Sequence, residues 1–579
     1  MSLTTALEIG RSALSASQLG IQITGNNTAN AATPGYARQI MRLTPLTGQT
    51  TGGVGAGSGK GVSVRDVQRQ IDEALNTRTR AGLSDEAAAS TILAQLSTLE
   101  STLGELSGND LSSQLSSFFN AWSERGNLTK SSAIVVQKGA ALADYMKSLR
   151  SDLTGLRDQV DVTLGQSVSS ANSLLAQIAQ YNIQVSAAEI DGSTANALRD
   201  QRDQALTDLA QLMDITVVPQ NNGTVDVLVG SSPVVLGTQT RGLQFTRETV
   251  NGSLQAFVRT TTDGQSLPVT SGAIGGLIKT RGGPIDDTIA SLDTVASQLI
   301  FQINKLHSTG TNQSGVTSTT GNLQTALADR TLPMNDPLNG TFSSLPIKPT
   351  TGGFTINVKQ TGTGAVTTVR INVDLDNITS AGLAGTADDT TPEQIRAALD
   401  AVPGVTAQFT SDGKLKVAAD SGFEFSFSDD TSGVPALMGL NAYFKGTTAK
   451  DIALDSTLGS DPTRLLVGKM VKGQFVENAN AIAIAGLQTQ ANAALGGQSI
   501  RGAWTDTAQS IGVQTSAATA SAKSATVVRE SLEAQRSGVS GVSIDEESIN
   551  LLNYQRQYQA AARLISVTDE LTQQLINLV

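Results

Sequence analysis

The sequence predicts an α+β multidomain protein with three parts: a terminal α-helical coiled-coil layer, a long helical bundle domain with β-hairpins, and an inserted β-rich outer domain. The spacing of apolar residues supports this fold class. It is about 3.6 residues, as in helices, near the chain ends, and about 2 residues, as in strands, in two interior stretches, each followed by helical spacing. The 579 residues also suggest roughly four units, at about 150 residues per domain. Because the chain passes outward through each interior layer and then returns through it, we expect its two ends to lie side by side.

The N-terminal segment, residues 1–46, begins with an amphipathic helix predicted from about Ser2 to Thr24. Its apolar stripe has a heptad-like spacing that suits packing against another helix, and it consists of Leu3, Leu7, Leu14 and Ile21. The stretch GNNTANAATPGYARQ (25–39) then interrupts the pattern, because Asn, Gly and Pro favour turns. We interpret it as a shaped connector made by Asn26, Asn27, Asn30, Thr33, Pro34, Gly35 and Tyr36. An extended, Gly-rich linker is predicted at 47–80.

Residues 81–308 are predicted to form the helical domain, with β-hairpins at about 215–260. Asn222-Gly223 and Asn251-Gly252 each lie between two β-rich arms, and Asn-Gly tolerates the positive φ angles of a tight hairpin turn. Helical spacing then returns and ends near His307.

The segment 315–470 is predicted to be an independent β-rich insertion, because stretches such as FEFSFS alternate apolar and polar residues. Its one short helix, TPEQIRAALD, has a clear start signal. Thr391 is the expected N-cap, Pro392 is the first helical residue, and Gln394 completes a capping box. Return helices of the helical domain are expected at 476–540.

The last segment, 541–579, is predicted to be one long amphipathic helix behind a joint, SGVSG (537–541). Ser543 and Glu546 fit a capping box at its start. The apolar stripe of this helix consists of Leu551, Tyr554, Tyr558, Ala561, Ile565, Leu571, Leu575 and Leu578. Two terminal helices side by side would bury little area, so we expect neighbouring copies in a polymer to cover them.

The composition excludes several classes of function. The formal net charge is −11, and nucleic-acid binding is disfavoured because phosphates require a basic surface. No apolar run reaches the ~18 residues of a membrane span, and the N-terminus lacks the positive start and apolar block of a signal peptide. Without cysteine and with a single histidine, the chain is short of metal ligands, so neither a metal site nor a cofactor is predicted.

Two features invite an enzymatic interpretation, and both are weak. GSGKG (57–61) does not fit a phosphate-binding loop, because Val54 stands where that loop needs glycine and Gly61 where it needs Ser or Thr. His307 ends a predicted helix, where a cap-like role is expected, and no G-x-S-x-G or comparable nucleophile motif accompanies it. The sequence therefore predicts a protein that is not an enzyme.

Three stretches resemble the bacterial flagellar axial proteins, the family of rod, hook and hook-associated subunits. They are the connector that ends in Thr33-Pro34-Gly35-Tyr36, the segment GKGVSVRDVQRQIDEAL, and the C-terminal helix. Within that family, the Asp545-Glu546-Glu547 start of the helix and its Tyr554 and Tyr558 pair are similar to the FlgK type of hook-associated protein. The 315–470 insertion carries no motif that we can assign.

The resemblance implies a structural subunit that joins hook to filament and polymerises through its terminal helices. These helices would form an inner axial layer, and the insertion would be an outer domain. The implied partners are further copies of the chain, the hook protein, a second hook-associated junction protein, and an export chaperone that binds the C-terminal helix. The implied location is the extracellular flagellum, reached through type III export without a cleaved signal peptide, and no nucleic acid or membrane insertion is expected.

Two alternatives stay open. The chain could be another axial protein of the hook or rod, in which case deleting its gene would abolish finished hooks. It could instead be a secreted adhesin whose β-rich insertion binds a surface ligand, in which case residues 315–470 alone would bind and the terminal helices would be dispensable.

Overall fold

A computed structural model describes residues 3–46, 59–105, 108–129, 131–250, 252–471 and 474–577. The Gly-rich stretch at 47–58 and Leu578 therefore lie outside the described residues. The fold is mixed α+β, with long helices at both ends and a β-rich middle region, which confirms the predicted fold class.

The α-helices are α1 (Leu3–Ala29), α2 (Glu73–Leu103), α3 (Leu111–Gly126), α4 (Ser132–Ala188), α5 (Asn196–Leu212), α6 (Gly272–Thr280), α7 (Asp286–Ser308), α8 (Gly340–Ser343), α9 (Pro392–Asp400), α10 (Val434–Leu437), α11 (Ser456–Ser460), α12 (Ala479–Gly486), α13 (Ile500–Ser540) and α14 (Ile544–Asn577). A π-helical turn spans Arg281–Ile285, and 3-10 turns span Leu327–Thr331, Pro462–Arg464 and Ala493–Leu495.

The strands are β1 (Gln39–Pro45), β2 (Val62–Arg69), β3 (Thr216–Pro219), β4 (Val225–Val229), β5 (Ser232–Leu236), β6 (Gln239–Thr240), β7 (Leu243–Val250), β8 (Ser253–Thr260), β9 (Ser318–Gln324), β10 (Gly352–Gln360), β11 (Val366–Val373), β12 (Val405–Phe409), β13 (Lys414–Ala419), β14 (Phe423–Ser428), β15 (Phe444–Lys445), β16 (Ala453–Leu454), β17 (Lys469–Val471) and β18 (Gln474–Val476).

The chain divides into two compact units. Unit 1 consists of Met1–Gln95, Gln159–Gly282 and Ser516–Val579, and unit 2 consists of Leu96–Asp158 and Gly283–Thr515. These limits differ from the predicted segments, because the predicted helical domain at 81–308 contributes to both units. The assignment of segments to an inner layer and an outer domain stays a prediction.

Unit 1 contains two helix pairs, α1 with α14 and α2 with α13. Arg529 of α13 joins Glu86 of α2 through an ion pair of 2.7 Å. Strands β3 to β6 form an antiparallel sheet in sequence order, and β7 pairs with β8 in a hairpin. Gly223, between β3 and β4, has a φ of +82°, and Gly252, between β7 and β8, has a φ of +81°. Both hairpins predicted from Asn-Gly pairs are therefore confirmed.

Unit 2 contains the β-rich region and its core. Two three-stranded sheets, with strand orders β11-β10-β14 and β12-β13-β9, pack around a cluster that includes Phe354, Phe425 and Phe427. The capping box of α9 is present as predicted: the Thr391 hydroxyl accepts from the Gln394 amide at 3.1 Å, and the Gln394 side chain accepts from the Thr391 amide at 2.8 Å.

Three predicted boundaries were wrong. Helix α1 continues to Ala29 rather than ending near Thr24, and α13 runs through most of the predicted SGVSG joint to Ser540. Within the predicted linker at 47–80, β2 pairs antiparallel with β1 and α2 begins at Glu73. At the end of α1, hydrogen bonds from Asn27 to Gln39 and Glu547 stabilise a helical turn that local composition disfavours.

The expected cap-like role of His307 was also wrong. The ring is buried in unit 2 beside Trp122 and Tyr443. Its Nδ1 lies 2.6 Å from the Asn441 carbonyl oxygen, and its Nε2 accepts from the Leu466 amide at 3.1 Å. A carbonyl only accepts and an amide N–H only donates, so the ring is neutral with its proton on Nδ1. Accordingly, burial lowers the pKa of His307 to about 4.

Candidate functional site: the paired terminal helices

The candidate site is the pair formed by α1 and α14 in unit 1. On α1 the buried residues are mostly small or polar: Gly10, Ala16, Ser17, Gly20, Ile23, Thr24 and Asn27. On α14 the buried residues recur at heptad spacing: Glu547, Ala561 and Thr568. The spacing of seven keeps one seam facing the partner helix, as in a coiled coil.

Two glycines allow the helices to approach closely. A Cβ atom at Gly10 would lie 2.8 Å from Ile565 Cγ1, and one at Gly20 would lie 2.6 Å from Tyr554 Cδ1. Large side chains of α14 therefore pack directly against the backbone of α1. Any larger residue at either glycine would have to displace them.

The predicted stripe of α1 flanks this seam. Its four residues are half-buried rather than buried: Leu3, Leu7, Leu14 and Ile21. The heptad spacing of the prediction is present, but the closest packing uses the smaller residues beside the leucines. The role of these four residues in assembly stays a prediction.

The predicted stripe of α14 divides into two parts. Ala561 is buried, and Leu551, Tyr554 and Ile565 are half-buried. Tyr558, Leu571 and Leu575 are 38%, 48% and 55% exposed. From Thr568 the seam continues to Thr572 rather than to Leu571, because residues on one helix face repeat every three or four positions. Leu571 and Leu575 instead belong to an exposed apolar stripe outside the seam: Ile549, Leu552, Val567, Leu571 and Leu575. Leu564 lies beside the seam, because it is 41% exposed but its Cδ2 would be 3.7 Å from a Cβ at Gly10.

The asparagine-rich connector is organised by Asn27, which lies in the last turns of α1. Its Nδ2 donates to the Gln39 carbonyl at 2.9 Å and to Glu547 Oε2 at 3.2 Å. Its Oδ1 accepts from the Gln39 amide at 3.0 Å and from the Tyr36 hydroxyl at 2.8 Å. Both donors and both acceptor positions of this buried amide are thus used, which ties α1, the connector and α14 together.

Arg38 completes this polar node, which we define as Asn27, Tyr36, Arg38 and Glu547. The Arg38 guanidinium lies 2.7 Å from Glu547 Oε1 and 2.9 Å from Glu546 Oε2. The Glu547 side chain is only 2% exposed, so its charge depends on Arg38 and Asn27 for compensation. The Arg38 amide also donates to the Ser540 carbonyl at 3.0 Å, which fixes the chain before α14 begins.

Tyr36 donates into the node and remains protonated. Burial, together with the nearby charges of Asp200 and Glu547, raises its pKa to about 12. Gly35 precedes it with a φ of +77°, and a Cβ there would lie 2.8 Å from Gln204 Oε1. Glycine at this position therefore supplies both a left-handed backbone and space beside α5.

The other connector residues act locally. Asn30 Nδ2 donates to the Asn26 carbonyl at 2.9 Å, and the Thr33 hydroxyl donates to Asn30 Oδ1 at 3.2 Å, while Pro34 is exposed. At the start of α14, the Glu546 amide donates to the Ser543 hydroxyl at 3.5 Å. The Glu546 carboxylate contacts Arg38 across the node, rather than closing the predicted capping box.

Four residues of the site were not predicted from the sequence: Arg38, Glu547, Gly10 and Gly20. Glu547 was predicted to interact with the helix dipole. Its tertiary role instead depends on Arg38, which lies 509 positions earlier in the chain. The node contains hydrogen bonds and one ion-pair system, which fix the relative position of three segments. Its chemistry is structural, because every polar group described here is engaged by another part of the chain.

Comparisons with known proteins place these features in a family. A model of the flagellar hook-associated protein FlgK helical domain matches residues 96–323, and a model of the flagellar basal body rod FlgEFG protein C-terminal region matches residues 534–578. Flagellar hook-associated protein 1 of Escherichia coli (strain K12) is 26% identical over 582 residues, covering 98% of each chain. The same protein of Bacillus subtilis (strain 168) is 25% identical over 580 residues, covering 99% of this chain and 97% of that one.

The chain belongs to the flagellar hook-associated protein 1 (FlgK) family. The resemblance seen in the terminal sequences is thereby confirmed, and this family is structural and non-enzymatic. The chain is also similar to the flagellar hook junction protein FlgK from Burkholderia pseudomallei, at 17% identity and a TM-score of 0.47, covering 80% of this chain and 100% of that one. In the part of the chain that the structure describes, no helix has the length and apolar character needed to cross a membrane.

Proposed function

We propose that the chain performs its family's function by polymerising through the α1–α14 pair. It is a structural subunit of the flagellum at the hook–filament junction. One observation supports the proposed mechanism most strongly. While the seam of α14 packs against α1, the surface outside the seam exposes the apolar stripe from Ile549 to Leu575.

The exposed stripe suits coverage by α-helices of neighbouring copies. Contiguous apolar side chains on a helix mark an interaction surface, because exposing them to water is unfavourable. The polar node holds the start of α14 against α1 and Gln39, so the pair has a defined register before any neighbour arrives. Copies that stack around an axis would then meet through equivalent faces.

The hook protein and a second hook-associated junction protein are the proposed neighbours above and below this subunit. A dedicated chaperone is the proposed partner before export, which we assign to the flagellar type III route. An amphipathic helix that places its apolar face in a groove is a recurring mode of recognition. If the chaperone uses the same stripe of α14 as neighbouring copies do, chaperone binding and polymerisation exclude each other.

Complementation of a gene deletion tests the proposal. The deletion should leave finished hooks and release filament protein into the medium, whereas missing hooks would indicate a hook or rod protein. Val567→Asp with Leu571→Asp places charges on the exposed stripe, where they should not disturb the fold. This variant should be exported but fail to restore filaments, because charged side chains would be desolvated between copies.

A matched control is Gln573→Asp with Gln574→Asp, which adds the same charge at exposed polar positions of the same helix. The control should restore filaments. Full restoration by the Val567 and Leu571 variant would contradict assembly through this face, while leaving the family assignment intact.

A further inference from the structure

We propose that unit 2 contains a binding site for a calcium ion, formed by Asp374, Asp376 and Asp389. One carboxylate oxygen from each of these residues lies within 4.8 Å of the other two. Oxygen ligands at this spacing suit a hard divalent cation such as Ca²⁺, which binds oxygen atoms at about 2.3–2.6 Å. The site is independent of the terminal helices and of the polar node.

The loop after β11 brings the three carboxylates together. The Thr390 amide donates to the Asp374 carbonyl at 2.7 Å, and the Asp374 amide donates to the Thr390 hydroxyl at 2.8 Å. This pairing places Asp389 beside the strand end that carries Asp374. Asp376 follows two residues later, where its Oδ1 accepts from the Ile378 amide at 2.8 Å in a tight turn.

Asp389 provides an independent indication of a ligand. This residue is only 1% exposed. Its Oδ2 accepts from Asn335 Nδ2 at 2.6 Å, while its Oδ1 accepts from none of the residues that the structure describes. A buried carboxylate with an unpaired oxygen is costly unless a cation compensates it.

Asn335 positions the buried carboxylate of Asp389. Its Nδ2 donates both to Asp389 and to Asn377 Oδ1, the latter at 3.0 Å. These two bonds orient the amide nitrogen towards the carboxylate and leave Asn335 Oδ1 buried without a partner in the described part of the chain. Asn335 therefore holds one oxygen of Asp389, while the other oxygen has no donor in the described part of the chain.

Charge and ligand type favour calcium over other metals. Three carboxylates within 4.8 Å repel one another when ionised, and a divalent cation offsets that repulsion. Zn²⁺ and Cu²⁺ prefer nitrogen or sulfur ligands, whereas the chain has no cysteine and its one histidine is bonded elsewhere in unit 2. Mg²⁺ demands near-ideal octahedral geometry, whereas Ca²⁺ tolerates the irregular ligand set of a loop.

No metal site was predicted from the sequence, because the chain has one histidine and no cysteine. The ligands are oxygen atoms, and Asp389 is 13 positions beyond Asp376. The three residues therefore do not form a contiguous calcium-loop motif that could be recognised in the sequence. With two of its three carboxylates exposed, the site should bind calcium with a dissociation constant of about 10⁻⁴–10⁻³ M, the range of extracellular modules. A bound ion would hold Asp374 and Asp376 against Asp389, at the two ends of the loop between β11 and α9.

Calcium titration of the full chain, after treatment with a chelator, tests this site. Calorimetry should detect one Ca²⁺ per chain, and Ca²⁺ should raise the midpoint of thermal unfolding, because the folded state alone assembles the ligands. Asp374→Asn and Asp376→Asn should each weaken binding by at least about tenfold, since each removes a charged ligand. Both positions are exposed, so the variants should fold.

Asp420→Asn is the matched control, because Asp420 is an exposed carboxylate of unit 2 outside the cluster. It should bind Ca²⁺ as the unmodified chain does. The proposal is overturned if the full chain shows neither binding heat nor a shifted midpoint at millimolar Ca²⁺, or if the Asp374 and Asp376 variants retain the original affinity. Binding of Mg²⁺ in preference to Ca²⁺ would overturn the assignment to calcium.

Discussion

The β-rich region of unit 2 and the terminal helix pair of unit 1 bury their side chains in opposite ways. In the β-rich region, Phe354, Phe425 and Phe427 are essentially inaccessible and pack edge to face. In the terminal pair, α14 buries Glu547, Ala561 and Thr568 while it exposes larger apolar residues such as Leu571. The first region encloses a core of large apolar side chains, and the second buries small and polar residues instead.

This difference indicates where stability comes from in each region. The β-rich region is stabilised by hydrophobic burial, at about 25 cal/mol per Å² of apolar surface. The terminal pair depends on close approach at two glycines and on the polar node, and its exposed stripe gains nothing until another chain covers it. A subunit that must remain monomeric until assembly and then polymerise requires such an incomplete surface.

The largest expected effect comes from removing the charge that compensates Glu547. Arg38→Ala should destabilise the contact between the connector and α14 by about 3 kcal/mol or more, because it leaves a buried carboxylate without its cation. Amide exchange of β1 and residues 544–550 should accelerate accordingly. Arg42→Ala, at an exposed position of the same strand, should leave the exchange unchanged.

A double variant sharpens this prediction. Arg38→Leu combined with Glu547→Leu should lose less stability than the two single changes added together, because neither charge is then left alone. Strict additivity would show that the ion pair contributes little to the node.

The next effect concerns acid sensitivity in unit 2. The pKa of His307 is about 4 in the folded chain and ordinarily 6.5, so the unfolded chain binds its proton first. Stability is therefore complete above pH 6.5 and is lost as the pH falls towards 4, by about 3 kcal/mol in total. A protonated Nε2 would face the Leu466 N–H, donor against donor.

The unfolding midpoint measured from pH 7 to pH 4 checks this dependence. His307→Gln should lower stability at pH 7 and flatten the pH profile, because glutamine does not titrate. An unchanged profile in the variant would show that other groups cause the acid sensitivity.

A smaller effect is expected at the helix seam. Gly20→Ala should weaken the α1–α14 pair by about 1–3 kcal/mol, because its Cβ would overlap the Tyr554 ring. Gly25→Ala is the matched control on the same helix, where a Cβ meets nothing within 4 Å. The control should be neutral or stabilising by up to about 1 kcal/mol, since alanine favours helices. Equal effects of both changes, measured by circular dichroism on melting, would contradict close packing at Gly20.

The parts of this fold that were predictable depend on local signals. The Asn-Gly hairpins and the Thr391 capping box are encoded within a few residues, and both predictions were confirmed. The end of α1 was wrong because Asn27, which locally favours a turn, bonds instead to Gln39 and Glu547. The contacts of α14 with Gly10 and Gly20 likewise depend on tertiary packing. The leucine stripe was therefore predicted to form the contact, whereas the closest packing occurs at the small residues beside it.

The most direct test of the account compares amide exchange in a verified monomer and in assembled junctions. Residues 551–577 should exchange rapidly in the monomer, while the amides of β10 and β14 are strongly protected, and assembly should protect the helix as well. Strong protection of residues 551–577 in the monomer would contradict a terminal pair that is completed only by polymerisation.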